Sequence, residues 1–354
     1  MGKDAHAATR RRRSTQIDIA REAGVSQATV SLVLNDAPEA RTRIPQETRD
    51  RVLAVAKQLG YSPNPAAQSL VGGRNYLLGF HTFEEVFPSD QRDFYFPFLL
   101  GVEREATRQG YDLLLFSPSS AARKGGAVRP AASRLLLADG CILLGRHVDR
   151  DALSDLTRND FPLVFIGRRE IPDADIAYVG IDYETATRKL VERLIELGHT
   201  RLGYIGEPGG GEQNEDRLKG YFDGVAQLGA DNNGSLKHSK PLTTAELKSW
   251  IDRGVTAVLV EPGEDDSNVR ALETAAAELS LSIPGDLSVA VVGDPEFATT
   301  DRADWTHFGI KRDEIAQRAV QLLVAILDDV DEERHVLIES EIVTGATMAA
   351  RQPR

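Results

Sequence analysis

Cysteine is all but missing from this 354-residue chain, for Cys141 stands alone. No intrachain disulfide is possible, and its place in the apolar run Cys141-Ile142-Leu143-Leu144 reads as a buried, inert thiol. Long apolar runs are missing too: nothing approaches the ~18 consecutive residues of a membrane span. The first residues are polar and basic, without the apolar segment of a secretory signal. Together these absences point to the cytoplasm and to no membrane partner. Asn233-Gly234-Ser235 then reads as a turn rather than a glycosylation site. Signatures of catalysis are also lacking. Gly206, Gly209, Gly210 and Gly211 follow a strand-like run, but no G-x-G-x-x-G phase exists and Glu212 stands where a phosphate-binding lysine is needed. There is no G-x-S-x-G, and His81, His147, His199 and His307 lack metal-ligand spacing, so no catalytic residue, metal or cofactor is expected.

Positive charge is scarce beyond residue 74. Residues 1–74 hold 12 Lys and Arg against 7 Asp and Glu, whereas residues 75–354 hold 30 against 47. A basic head on an acidic body suits a molecule whose head alone meets phosphate. Arg10 to Arg13 add to the head's charge, either as a solvated arm or as a groove contact.

From Thr15 to Leu34 the sequence TQIDIAREAGVSQATVSLVL reads as two short helices broken at Gly24-Val25-Ser26. Thr15 caps the first, with Asp18 at its third helical position, and Ile17, Ala20 and Ala23 share a face. Ser26 caps the second, which turns Val30, Val33 and Leu34 inward and leaves Gln27, Ala28, Thr29 and Ser31 free. Such a pair is either an ordinary helical hairpin or a helix-turn-helix whose second member enters the major groove of DNA. A polar loop from Asn35 to Arg43 follows, then an amphipathic helix from Gln46 to Leu59 ending at Gly60. In Tyr61 to Leu70, Asn64 suits a cap and Pro65 a first helical position, which predicts a helix too short to stand without a partner. The expected divisions are a basic disordered arm (1–13), a helical head (14–62), and a hinge helix and linker (63–74).

From Leu77 onward short apolar runs alternate with helical stretches, the pattern of parallel sheets. Residues 75–354 are expected to form two doubly wound lobes with a ligand cleft between them at the strands' carboxyl ends. The first takes about 76–174 plus 310–340. The second takes about 175–309 plus 341–354, with IAYVGID opening it and Trp305 to Lys311 crossing back.

In this order the residues resemble the LacI (lactose-repressor) family of bacterial transcription regulators, over nearly the whole chain. In the head the likeness rests on IDIA, AGVS, TVS, Val33-Leu34-Asn35, Thr48-Arg49, Leu59-Gly60-Tyr61 and Pro63-Asn64. In the body it rests on Gly101-Val102-Glu103, Gln109-Gly110-Tyr111, Phe165-Ile166-Gly167-Arg168, Leu197-Gly198-His199, Arg201 to Gly206, Arg217 and Gly220-Tyr221. The resemblance implies an all-α helix-turn-helix head joined by a hinge helix to a periplasmic-binding-protein-like α/β body. It also implies a homodimer on a pseudo-palindromic operator, acting as a repressor modulated by a small-molecule effector. By position it assigns Thr15, Ser26, Gln27, Ala28, Thr29 and Ser31 to DNA, with Gln27 suited to adenine and Ala28 to a thymine methyl. Leu32 stands where the family often has arginine, which removes a guanine contact. Asn64 starts the hinge helix, Ala67 lies on it, and Leu70 either wedges between base pairs or packs in a core. Arg41 and Arg43 are placed to reach phosphates.

In the body Arg217 matches the arginine that grips a ligand hydroxyl or carboxylate, the alternative being a surface ion pair. Sugar-responsive members carry Gly-aromatic-Asp-Asp where this chain has Val291-Val292-Gly293-Asp294, so only Asp294 remains. Asp265-Asp266 and Asp304-Trp305-Thr306-His307 also depart from the family, as in a pocket remodelled for another molecule or lost. Arg146, Arg168 and Arg217 each follow a strand or open a helix, so three guanidinium groups are expected to converge where carboxylate is short. The expected effector is therefore a phosphorylated or acidic sugar or a related carboxylate. The alternatives are an activator, a regulator governed by a protein co-effector, and a solute-binding protein with a basic leader.

Overall fold

The computed structural model describes residues 14–34, 38–61, 74–83, 92–116, 134–145, 148, 150–158, 160–171, 174–206, 210–228, 241–263, 266–295 and 304–351. They form two units, divided between Asn75 and Tyr76. The basic arm and the hinge positions Asn64, Ala67 and Leu70 lie outside the described residues.

The head holds α1 (Gln16–Ala23), α2 (Gln27–Leu34), α3 (Pro38–Arg43) and α4 (Gln46–Gln58). Thr15 and Asp18 form the expected reciprocal cap: the Asp18 carboxylate accepts from the Thr15 amide at 2.9 Å, and the Thr15 hydroxyl accepts from the Asp18 amide. Gly24, at φ 65°, ends α1 in the left-handed region that glycine adopts without steric cost. The core gathers Ile19, Val30 and Val52, all fully buried, with Ala20, Ala23, Val33 and Ala56. Ile17 is a correction, since it is 55% exposed and Ile19 takes the inward place beside Ala20 and Ala23. The polar loop expected after Asn35 is a second correction. Pro38 sits at a first helical position, where its fixed φ favours a turn, and Ala40 is buried, so tertiary contact stabilises a helix of six residues.

The body holds two sheets. The first is built from β1 (Leu77–Thr82), β2 (Asp112–Phe116), β3 (Gly140–Leu144), β4 (Leu163–Ile166), β5 (Ala177–Ile181) and β10 (His335–Ile338), all parallel, in the order β10-β5-β4-β3-β1-β2. The second holds β6 (Leu202–Ile205), β7 (Ala257–Val260), β8 (Ser288–Val291), β9 (Thr306–Phe308) and β11 (Ile342–Val343), in the order β11-β9-β8-β7-β6, with only β11 antiparallel. Strands β3, β4, β7 and β8 are buried throughout, which explains their near-continuous apolar sequence.

The helices are α5 (Arg92–Arg108), α6 (Arg150–Thr157), α7 (Tyr183–Glu196), α8 (Glu212–Leu228), α9 (Thr244–Asp252), α10 (Ser267–Glu278) and α11 (Arg312–Leu327). Helix α11 returns to the first lobe, where Ile315, Ala316, Ala319, Val320, Leu322 and Leu323 join Leu78, Phe80 and Val164 in one core. The strand expected to open the second lobe, β5, instead completes the first sheet between β4 and β10. Among its described residues the link from β4 to β5 carries no helix and shows an antiparallel bridge between Ile171 and Ala174, so the strand–helix alternation that marks other boundaries gives no sign there.

Two helix pairs approach closely at glycines. A Cβ on Gly220 of α8 would lie 2.2 Å from the Glu184 carbonyl oxygen of α7, and one on Gly101 of α5 would lie 2.5 Å from that of Asp313. The C-terminal segment is tied to the second lobe through buried His199, whose ring nitrogens lie 2.9 Å from the Thr256 hydroxyl and 3.0 Å from the Ala349 carbonyl.

Gly220→Ala is expected to destabilise the body by about 1–3 kcal/mol, read as a lower urea midpoint, because a backbone oxygen must move. Burial holds the His199 imidazole below its ordinary value of 6.5, so the folded state resists a proton that the unfolded chain accepts. This contribution is complete above 6.5 and is lost as pH falls below it; thermal melts between about pH 7.5 and 5 should show a shallower decline for His199→Gln than for wild type.

Candidate functional site

On α2, Gln27 and Ala28 are exposed at the helix start, as a base-reading role requires. The capping residues are more committed. Ser26 accepts from the Thr29 amide at 3.1 Å and its hydroxyl bonds that of Thr29 at 2.9 Å, while Thr15 is held by Asp18. Ser31 is half-buried and already interacts within the protein. No charged residue lies on α2. Arg43 is exposed, and the Arg41 side chain lies outside the described residues.

In the body a cavity of about 310 Å³ opens between the lobes, reaching the ends of β3, β4, β7 and β8. The chain places its polar groups there through strand ends and the first turns of α8, as parallel sheets do. Arg168, just after β4, does not stand free. Its Nε and Nη2 donate to the two Asp216 carboxylate oxygens of α8 at 3.0 and 2.7 Å, and it also pairs with Glu170. Arg169, which the sequence reading passed over, is largely shielded, lies 4.5 Å over the Phe165 ring, and donates to Glu212 of α8 at 3.3 Å and to the Gly145 carbonyl at 2.7 Å. Glu212 in turn accepts from the Glu170 amide at 3.1 Å. Two adjacent arginines of one lobe thus hold two carboxylates of the other.

Arg217 behaves differently. It is 9% exposed, its guanidinium lies 4.1 Å over the Tyr183 ring, and its Nε is buried without a hydrogen-bond partner among the described residues. The alternative of a surface ion pair does not fit that burial. Asp294 is paired with Arg312 and lies 3.7 Å from His307 Nε2; Arg312 itself is nearly buried, 5.6 Å over Phe94, with an unpartnered Nε. Arg146 lies outside the described residues. A Cβ on Gly293 would meet Pro262 at 3.0 Å, so the backbone packs closely at this edge of the cavity.

The cleft is not short of carboxylate, which corrects the expectation of three converging, uncompensated arginines. Besides Asp216 and Asp294 it holds Glu261, 3% exposed at the end of β7, which accepts from the Tyr204 hydroxyl and from Asn214 Nδ2. Burial, and then the Glu261 charge, push the Tyr204 phenol well above its usual range, so it remains a donor. A sequence signal for Glu261 exists in hindsight: a lone acid directly after the buried run Ala257-Val258-Leu259-Val260. Phe94 lies in the first turn of α5 and also lines the cavity. Among the described residues no cluster of three metal-binding side chains occurs, and no helix is long and apolar enough to cross a membrane.

Comparison with known proteins agrees with this architecture. Residues 15–64 match the bacterial regulatory proteins of the lacI family. Residues 81–241 match the periplasmic binding proteins and sugar binding domain of that family, and residues 191–348 a periplasmic binding protein-like domain. The HTH-type transcriptional regulator CelR of Thermobifida fusca is 30% identical over 303 residues, covering 83% of this chain and 86% of the relative. Catabolite control protein A of Priestia megaterium is 26% identical over 326 residues, covering 89% and 92%. Among solved structures, the lac repressor dimer bound to operator and the anti-inducer ONPF superposes with a TM-score of 0.66 at 22% identity, over 96% of this chain and all of that one. A CelR–cellobiose complex gives 0.60 at 24% identity, over 95% and 100%. These two share the fold. The chain belongs to the LacI family of bacterial regulatory proteins and is a DNA-binding transcriptional regulator.

Proposed function

We propose that the protein is a cytoplasmic repressor without catalytic activity, binding a pseudo-palindromic operator as a homodimer, and that a sugar derivative carrying an acidic or phosphoryl group tunes this binding from the interlobe cavity. Gln27 and Ala28, with Ser26, Thr29, Ser31 and Thr15 around them, form the groove-facing surface; Asn64, Ala67 and Leu70 supply the hinge.

The observation that carries the effector reading is Arg217. A buried guanidinium with an unpartnered Nε is costly to desolvate, and an anionic or strongly accepting ligand group restores what burial removes. Arg168 and Asp294 act beside it as paired groups that orient rather than neutralise the ligand. Glu261, Asn214 and the ring of Tyr183 suit the hydroxyls and apolar face of a sugar. A structure of similar fold, the CelR–cellobiose complex, supports the saccharide part of this reading; the acidic group rests on Arg217.

Arg217→Ala should abolish the ligand-dependent change in operator affinity while leaving ligand-free affinity within about twofold, a coupling of roughly 1–3 kcal/mol being typical. The assay is fluorescence anisotropy on a selected duplex, with neutral sugars, sugar phosphates and sugar acids added in turn. A neutral sugar that binds tightly without Arg217 would sink the anionic reading. Arg169→Met leaves Glu212 without its cation in a buried setting and should cost the body about 3 kcal/mol in urea denaturation. Glu212→Gln in the same background should recover part of that loss.

A further inference from the structure

The second head helix reads Gln27-Ala28-Thr29-Val30-Ser31-Leu32-Val33-Leu34, without arginine, lysine or asparagine. Val30 is completely buried in the head. Ala28 and Leu32 stand two residues to either side of it, and at about 100° per residue each lies about 160° around the helix from Val30. They share the back of the helix, four residues apart, where side chains neighbour one another. Ala28 is exposed, and half-buried Leu32 belongs neither to the head core nor to the residues packed against it. The flanking hydroxyl of Thr29 is bonded to Ser26, and Ser31 is engaged within the protein.

In a major groove the donor–acceptor edge of guanine calls for arginine or lysine, which this helix lacks, whereas the only apolar group on a base edge is the C5 methyl of thymine. We infer that Leu32 and Ala28 form an apolar ridge that reads thymine methyl groups, so that the half-site positions facing α2 are specified as A·T pairs. Leu32 is thereby a specificity-determining residue, and Gln27 supplies the adenine contact beside it. The inference rests on the DNA-binding reading of α2.

The test uses the full chain. Duplexes are selected from a randomised library, and the recovered site is resynthesised with deoxyuridine for each thymine in turn, which deletes only the methyl group. Anisotropy should reveal at least one half-site thymine whose replacement weakens binding about fourfold, as for one methyl lost from a buried contact. Leu32→Ala should lose sensitivity at that thymine and keep the wild-type melting temperature. The inference is overturned if the selected half-sites carry no thymine, if every deoxyuridine is neutral for wild type, or if Leu32→Ala stays as sensitive as wild type. A library from which no sequence is enriched would overturn the DNA-binding reading itself, and this inference with it.

Discussion

Charge pairing across the cleft is the constraint on which the body depends. Arg168 and Arg169 leave the end of β4 side by side, and each finds a carboxylate on the first turns of α8, Asp216 for one and Glu212 for the other. Both pairs are largely shielded from water, where removing one partner is far more damaging than at an exposed site. The pairs also decide which groups remain for a ligand. With those two arginines satisfied within the chain and Asp294 held by Arg312, Arg217 is left over its tyrosine ring with a donor unspent. The cavity's selectivity follows from what its own residues have already claimed.

The head shows how a short helical unit is specified by local chemistry alone. Caps at Thr15 and Ser26, the left-handed Gly24 and the buried trio Ile19, Val30 and Val52 all act within a few residues or one helix packing. This is why its caps, breaks and inward valines were legible in the sequence. Ile17 was misplaced because Ile17 and Ile19 flank the same apolar arc of α1, and packing against α2 and α4 selects Ile19. Helix α3 escaped notice because six residues of mixed polarity carry no period; the burial of Ala40 that stabilises it is a tertiary fact.

In the body the strand runs were legible because burial on both faces writes them as unbroken apolar stretches. The owner of a strand was not. β5 reads like any other buried strand, and only its partners β4 and β10 show which sheet it completes. The candidate site divides in the same way. Arg217 and Asp294 were expected at the cleft from their motif positions, whereas the places of Arg169, Glu261 and Arg312 beside the cavity follow from partners distant in sequence. Position alone also could not show that Arg168 is spoken for by Asp216, 48 residues on.

The passage of the chain between lobes has a consequence for synthesis. The first lobe borrows α11, whose Ile315, Ala316, Ala319, Val320, Leu322 and Leu323 fill its core, and β10, whose Val336 and Ile338 pack against it, from beyond most of the second lobe. A nascent chain emerging from the ribosome therefore holds β1 to β5 with an uncovered apolar face until residues 312–338 are translated. The head, built from local contacts, is complete long before that. The sheet that must wait longest is also the more exposed to misassembly, since long-range closure is slow and bare apolar strands aggregate.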